Sequence, residues 1–163
     1  MIFVTVGTHE QPFARLVAYM DKWAAKHEES VIIQTGFSTY EPKNCQWQKL
    51  FPYQEMLKNV AEARIVITHG GPSSFIMPLQ IGKIPIVVPR RAEFNEHVND
   101  HQVDFVKAVA ERQRNIIVVE DVNKLEEMLE TYEEITAHMQ NTLQHNNEKF
   151  CAEFGKIANE LVR

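Results

Sequence analysis

The sequence predicts an α/β fold: a single Rossmann-like domain, with a parallel sheet flanked by helices and a helical tail at its C-terminal end. Three observations carry this. Short apolar runs alternate with longer segments of helical period, the pattern of strand–helix–strand units. The runs are almost uniformly apolar, as in strands buried on both faces. Glycine-bearing polar stretches follow several of those runs, where a parallel sheet places its loops.

The elements follow in order. Ile2 to Val6 reads as the first strand, and a helix follows from about Pro12, with Phe13, Leu16, Val17 and Met20 facing inward. Val31 to Gln34 is the second strand, ended by Thr35-Gly36. Phe37 to Gln46 is a polar loop, Trp47 to Phe51 a short strand, and Met56, Leu57, Val60 and Ala61 mark a helix closing at Ala63. Strands at Ile65 to Thr68 and Ile84 to Val88 enclose a helix from Ser73 to Ile81. Pro78 removes a backbone donor there and predicts a kink. A helix over about Asn99 to Glu111 turns Val103, Val106 and Val109 inward, and Ile116 to Val119 makes the last strand. From Val122 onward the period is helical, through Leu125, Leu129, Tyr132, Ile135, Met139 and Leu143. It is interrupted at Gln144 to Asn147 and resumes with Phe150, Phe154, Ile157 and Leu161. No repeat, low-complexity tract or linker divides the chain, so residues 1–163 read as one domain with a helical tail over 121–163.

Composition narrows the function. The 163 residues carry 22 acidic against 17 basic side chains, and a net charge of −5 argues against a nucleic-acid partner, which needs clustered cations. The 44% hydrophobic content suits one full core. Cys45 and Cys151 form no metal spacing and read as free thiols of a reducing compartment. The opening residues have no basic stretch of a signal peptide. The longest uncharged run, Ile65 to Gly82, contains Gly70, Gly71, Pro72 and Pro78 and does not read as a membrane span.

Three strand-to-helix junctions carry polar chemistry. The first is Gly7-Thr8-His9-Glu10-Gln11-Pro12. The second is His69-Gly70-Gly71-Pro72-Ser73-Ser74, where two glycines allow close approach, proline pre-sets a helical turn, and the serines and free amides suit an anion. A serine-capped tight turn explains the same residues. The third runs from Arg90 and Arg91 through Glu96, His97, Asn99 and Asp100 to His101 and Gln102. His97 and His101, four apart, share a face if one helix holds both. A zinc reading with His69 as third ligand competes, without the H-E-x-x-H order. Capping by Asn99 with Gln102 is another reading. No G-x-G-x-x-G or Walker lysine is present, which disfavours dinucleotide binding and ATP hydrolysis.

Gly7-Thr8, His69-x-Gly71-x-x-Ser74, Gly82-Lys83-Ile84-Pro85 before Val87-Val88-Pro89, and Glu96-His97 with His101-Gln102 occur in that order. The series resembles the C-terminal, donor-binding half of GT-B glycosyltransferases of the MurG type. It is most similar to the stand-alone PssE- and EpsF-type subunits of bacterial exopolysaccharide and capsule synthesis. The soluble subunit that adds the second N-acetylglucosamine to dolichol diphosphate is the eukaryotic relative. The similarity runs from Met1 to about Ala110.

The resemblance implies a fold that is one half of a GT-B enzyme, a UDP-sugar as donor, and inverting transfer with neither metal nor other cofactor. Gly7 and Thr8, with the turn His69, Gly70, Gly71, Pro72, Ser73 and Ser74, hold the diphosphate. His101 and Gln102 match the position that holds the sugar hydroxyls, Glu96 and His97 are a competing match, and Arg90 joins the donor-binding set. His9 is the candidate catalytic base, unless a partner supplies it. The related helix carries a ribose-gripping glutamate three residues after the serine, where this chain has Met77; Glu96 or Asp100 are candidates to replace it. One half implies a membrane-anchored partner that binds a lipid-linked saccharide acceptor and recruits this cytoplasmic chain to the inner face of the plasma membrane. The competing reading is a non-catalytic nucleotide-binding or partner-docking module on the same scaffold.

Overall fold

A computed structural model describes residues 1–139. Six parallel strands form one sheet: β1 (Ile2–Thr5), β2 (Val31–Gln34), β3 (Gln46–Gln48), β4 (Ile65–His69), β5 (Ile86–Val88) and β6 (Ile117–Val118). Their order is β3-β2-β1-β4-β5-β6, with Thr5 in register with both Gln34 and Thr68. The helices are α1 (Ala14–Ala24), α2 (Tyr53–Glu62), α3 (Pro72–Gln80), α4 (His101–Gln113), α5 (Leu125–Glu130) and α6 (Tyr132–Thr136).

Alternation along each strand splits the core into two layers. Ile2, Val4, Ile65, Ile67, Ile86 and Val88 pack with Phe13, Leu16, Val17 and Met20 of the α1 segment and with Leu125 and Leu129 of α5. Phe3 and Val66 face Val60 of α2, and Val87 faces Phe75 and Leu79 of α3 and Val106 of α4. Each fully buried aliphatic or aromatic side chain contributes about 1.5–3 kcal/mol, so α1 is held chiefly by the face that the sequence predicted. Where β1 and β2 end, this pattern turns polar: Gln34 Nε2 donates to Thr5 Oγ1 at 3.0 Å, and Gly7 N donates to the same oxygen at 3.2 Å.

Several boundaries differ from expectation. The first helix starts at Ala14, with Phe13 N donating to Ser38 Oγ across the sheet end, and no side chain of the first junction caps it. β5 begins at Ile86 because Pro85 has no ladder donor. α4 begins at His101, so His97 lies in the turn before it and the two histidines do not share a helical face. The tail is broken rather than continuous. After a 3₁₀ turn at Val122–Lys124, the helix stops at Thr131, and Tyr132 turns into the core to donate its hydroxyl to Ile84 O at 2.6 Å. Leu143, the Gln144 to Asn147 interruption, Cys151 and the Phe150 to Leu161 stripe lie outside the described residues. Among the described residues, no helix is long and apolar enough to cross a membrane.

Candidate functional site

The strand order reverses direction between β1 and β4, and in open parallel sheets ligands bind in the crevice at such a switch point. The first and second junctions leave the carboxyl ends of these two strands. The long segment after β5 closes against them.

His69, the last residue of β4, is the centre of this crevice. It is buried, and its ring lies against the backbones of Gly7 and Gly71, at positions where a Cβ on either glycine would overlap the imidazole. Gly7 also has φ +75°, where only glycine sits without strain. The two glycines therefore make room for a side chain of the protein itself, not for a close-approaching ligand. Gly71 N donates to His69 Nδ1 at 3.0 Å, and His69 Nε2 lies 2.9 Å from Ser74 Oγ. Burial, followed by the charge of Arg90, pushes the His69 pKa down to about 4. The ring is neutral at pH 7.

Gln102 completes the inner wall. Its Oε1 accepts from Gly70 N and from Arg90 N, each at 3.1 Å. The expectation that the amides of Gly70 and Gly71 bind an anion is thereby corrected: both are satisfied by side chains. Gln102, expected on the donor's sugar, uses its carbonyl oxygen to tie the second junction to the third. The anion donors left at the α3 N-terminus are the hydroxyls of Ser73 and Ser74 and the Ser73 N–H. That amide, at the second helical position behind Pro72, has no protein partner among the described residues.

Two charged residues of the third junction, Arg90 and Glu96, face inward. Arg90, expected among the donor contacts, is fully buried. It donates to Val6 O and Gln11 O at 2.7 Å and to Glu96 O at 3.0 Å, with its guanidinium 5.0 Å from the Phe13 ring centroid. Burial lowers its pKa to about 10, so it stays cationic. Glu96 is also buried: it pairs with Arg15 at 2.9 Å and accepts from Arg91 N. These residues clamp loops and are not free to hold ribose or sugar. Asp100 accepts from Ala92 N and is itself the N-cap of α4 without a side-chain cap bond, so the capping box expected of Asn99 and Gln102 does not form; Asn99 Oδ1, one residue earlier, accepts from His101 N.

The histidines at the rim converge differently. His9 and His97 bring their rings to 5.0 Å between centroids. His9 Nδ1 accepts from Gln11 N at 3.2 Å, so the neutral ring carries its proton on Nε2 and presents a donor there. That geometry does not suit the general base expected of it. Burial, then the charges of Arg90 and His97, lower its pKa. Among the described residues, no group of His, Cys, Asp and Glu gathers as a metal set, and the zinc triad of His69, His97 and His101 does not form. Cys45 is half-buried, and burial raises its thiol pKa to about 12, which leaves it unreactive.

Two clefts flank the α3 N-terminus. One, of about 580 Å³, is lined by Gly70, Gly71, Pro72, His97, His101, Gln102, Asp104 and Phe105. The other, of about 450 Å³, is lined by Thr8, His9, Ser73 and Ser74 and by an apolar wall of Phe51, Tyr53, Met56 and Met77, with Thr5 and Gln34 at the strand ends as its floor. Sequence reasoning missed Phe105 and the Phe51, Tyr53 and Met56 wall. The polar endings of otherwise apolar strands, Thr5 and Gln34, were the available signal for the floor.

Comparisons with known proteins bear on the fold and the family. The glycotransferase of kitacinnamycin superposes with a TM-score of 0.54 at 16% identity, over 86% of this chain and 40% of that one. The glycosyltransferase SnogD from Streptomyces nogalater gives 0.49 at 15%, with the same coverage. At such identities the first likeness shows the fold alone, and the chain spans about 40% of the length of these proteins. No curated protein matches it. The sequence itself matches the glycosyltransferase family 28 C-terminal domain over residues 1–161, and the chain belongs to that family.

Proposed function

We propose that this chain is the donor-binding half of a two-component inverting glycosyltransferase that takes a UDP-sugar without a metal. The observation that carries this is the α3 N-terminus at the β1/β4 switch point. Two serine hydroxyls and an unpartnered amide stand there between two clefts. A diphosphate seated on Ser73 and Ser74 is stabilised by these donors and the helix dipole, and more strongly as charge grows on the leaving group. The Phe51, Tyr53, Met56 and Met77 wall then takes the nucleoside, and His101 at the edge of the other cleft meets the sugar. The resemblance to PssE- and EpsF-type subunits supports exopolysaccharide or capsule synthesis on a lipid-linked acceptor as the setting of the reaction. A membrane-anchored partner holds that acceptor and supplies the base, a role consistent with the Nε2 proton of His9. Val98 and Phe94, exposed in the third junction beside His97, suit such a partner.

Thermal shift tests the donor reading. A ligand at about 100 times its Kd stabilises by about 2.7 kcal/mol, so UDP and one UDP-sugar must raise the transition, the sugar nucleotide more strongly. A flat response to all nucleotides rejects it. Met77 favours a second reading, a non-catalytic nucleotide-binding or docking module, because no carboxylate among the described residues lines its cleft. A response to UDP that no attached sugar alters, with no sugar transfer after co-purification with a membrane partner, selects that reading.

A further inference from the structure

We infer that His69 is a positioning residue that works through Ser74: it gives its Nε2 proton to the serine oxygen and so turns the serine's own hydrogen into the cleft. The inference rests on the diphosphate reading above and specifies which atom makes the contact. Gly71 N–H can only donate, so Nδ1, its partner at 3.0 Å, must be the bare nitrogen of the neutral ring. The proton is then on Nε2, and Ser74 Oγ at 2.9 Å is the acceptor. A hydroxyl that accepts from His69 keeps one hydrogen to donate, and Ser74 lines the cleft into which that hydrogen points.

The ring has no freedom to adopt the other arrangement. Gly7 and Gly71 bracket it so closely that neither tolerates a Cβ, and Gln102, whose Oε1 is fixed by two amides, lies alongside with its Nε2 at 3.5 Å from Nδ1. Burial keeps the ring neutral to well below pH 7. The same tautomer excludes a serine–histidine nucleophile at this pair, because the nitrogen facing Ser74 already holds its proton. One rigid imidazole thus joins the first and second junctions and sets the direction of one hydroxyl.

The test uses the full chain labelled with ¹⁵N and two probes, UDP and inorganic pyrophosphate. Long-range histidine spectra must show His69 protonated at Nε2, bare at Nδ1 and not titrating between about pH 8 and pH 5. Ser74→Ala must weaken binding about tenfold in the wild type. His69→Gln keeps an N–H near the Nε2 position, so binding stays within about threefold and Ser74→Ala still costs about tenfold. His69→Asn keeps only an acceptor near Nδ1, so it costs about tenfold itself and Ser74→Ala adds less than twofold. An Nδ1–H tautomer, or an equal cost of Ser74→Ala in the wild type and in His69→Asn, overturns the inference. If His69→Asn does not fold, the spectrum and the His69→Gln pair decide. Binding of pyrophosphate but not UDP upholds the aimed hydroxyl and rejects the nucleotide reading; binding of neither rejects both.

Discussion

Gly7 and Gly82 both have positive φ, +75° and +76°, yet they stand in opposite surroundings. A Cβ on Gly82 meets nothing within 4 Å, whereas one on Gly7 overlaps the His69 ring. Gly82→Ala therefore carries only the left-handed strain of an L-residue, about 1 kcal/mol. Gly7→Ala carries that strain plus overpacking against a buried ring, about 1–3 kcal/mol more, for a sum near 3 kcal/mol. At roughly 2–4 °C per kcal/mol for a chain of this size, Gly7→Ala lowers Tm by about 6–12 °C and Gly82→Ala by about 2–4 °C. Urea unfolding at pH 7 gives the free energies directly. Adding His69→Ala removes the overlap, so the double variant loses at least about 1 kcal/mol less than the sum of the two single ones. Equal costs at Gly7 and Gly82, or strict additivity with His69→Ala, refute the bracketed-ring account.

Three further outcomes follow from the same geometry. The His69 pKa falls from 6.5 to about 4 on folding, so the native state binds fewer protons than the unfolded chain between these values; stability is full above about pH 6.5 and declines toward pH 4 by up to about 3 kcal/mol. His9, also lowered, adds to the slope, and His69→Gln flattens most of it in urea midpoints taken from pH 7.5 to 4.5. Arg90→Met leaves the carbonyls of Val6, Gln11 and Glu96 without their donor and costs about 3 kcal/mol or more, seen as a urea midpoint lowered by more than about 1 M. Lys83→Met frees the carbonyls of Val60, Ala61 and Ala63 at the end of α2, where the lysine ammonium caps the helix, and costs about 1–2 kcal/mol by the same assay without altering UDP binding.

The centre of the sheet was legible because β1, β4 and β5 are apolar on both faces, a signal that needs no long-range partner; β3, at the edge, is Gln-Trp-Gln and exposed, and it lies at Gln46–Gln48 instead of the expected Trp47 to Phe51. Ile2–Thr5 and Ile65–His69 lie within one residue of the expected Ile2 to Val6 and Ile65 to Thr68, and the expected inward residues Phe13, Leu16, Val17 and Met20 are buried, with Asp21 and Trp23 buried beside them unforeseen. The three junctions were also located correctly, since polar residues after apolar runs mark the carboxyl ends of parallel strands. Within them, residue roles were misread wherever the deciding partner is distant in sequence. Glu96 reads as a free carboxylate until Arg15, 81 positions away, is seen beside it. Arg90 reads as a contact to the donor, but its acceptors are the carbonyls of Val6 and Gln11. Gly7 reads as a ligand-facing turn, yet its missing side chain leaves space for His69. Local pattern identifies which atoms are polar; only the fold shows which of them are already satisfied.

The most direct measurement is a titration of the ¹⁵N-labelled chain with UDP, followed through backbone amides. The account predicts that Ser73 N–H, the free donor of the α3 N-terminus, moves farthest, with Ser74 beside it, while the amides of Gly70 and Gly71 keep their internal bonds and shift little. Saturable shifts centred on any other part of the sheet, or none at Ser73 and Ser74 at millimolar UDP, contradict it.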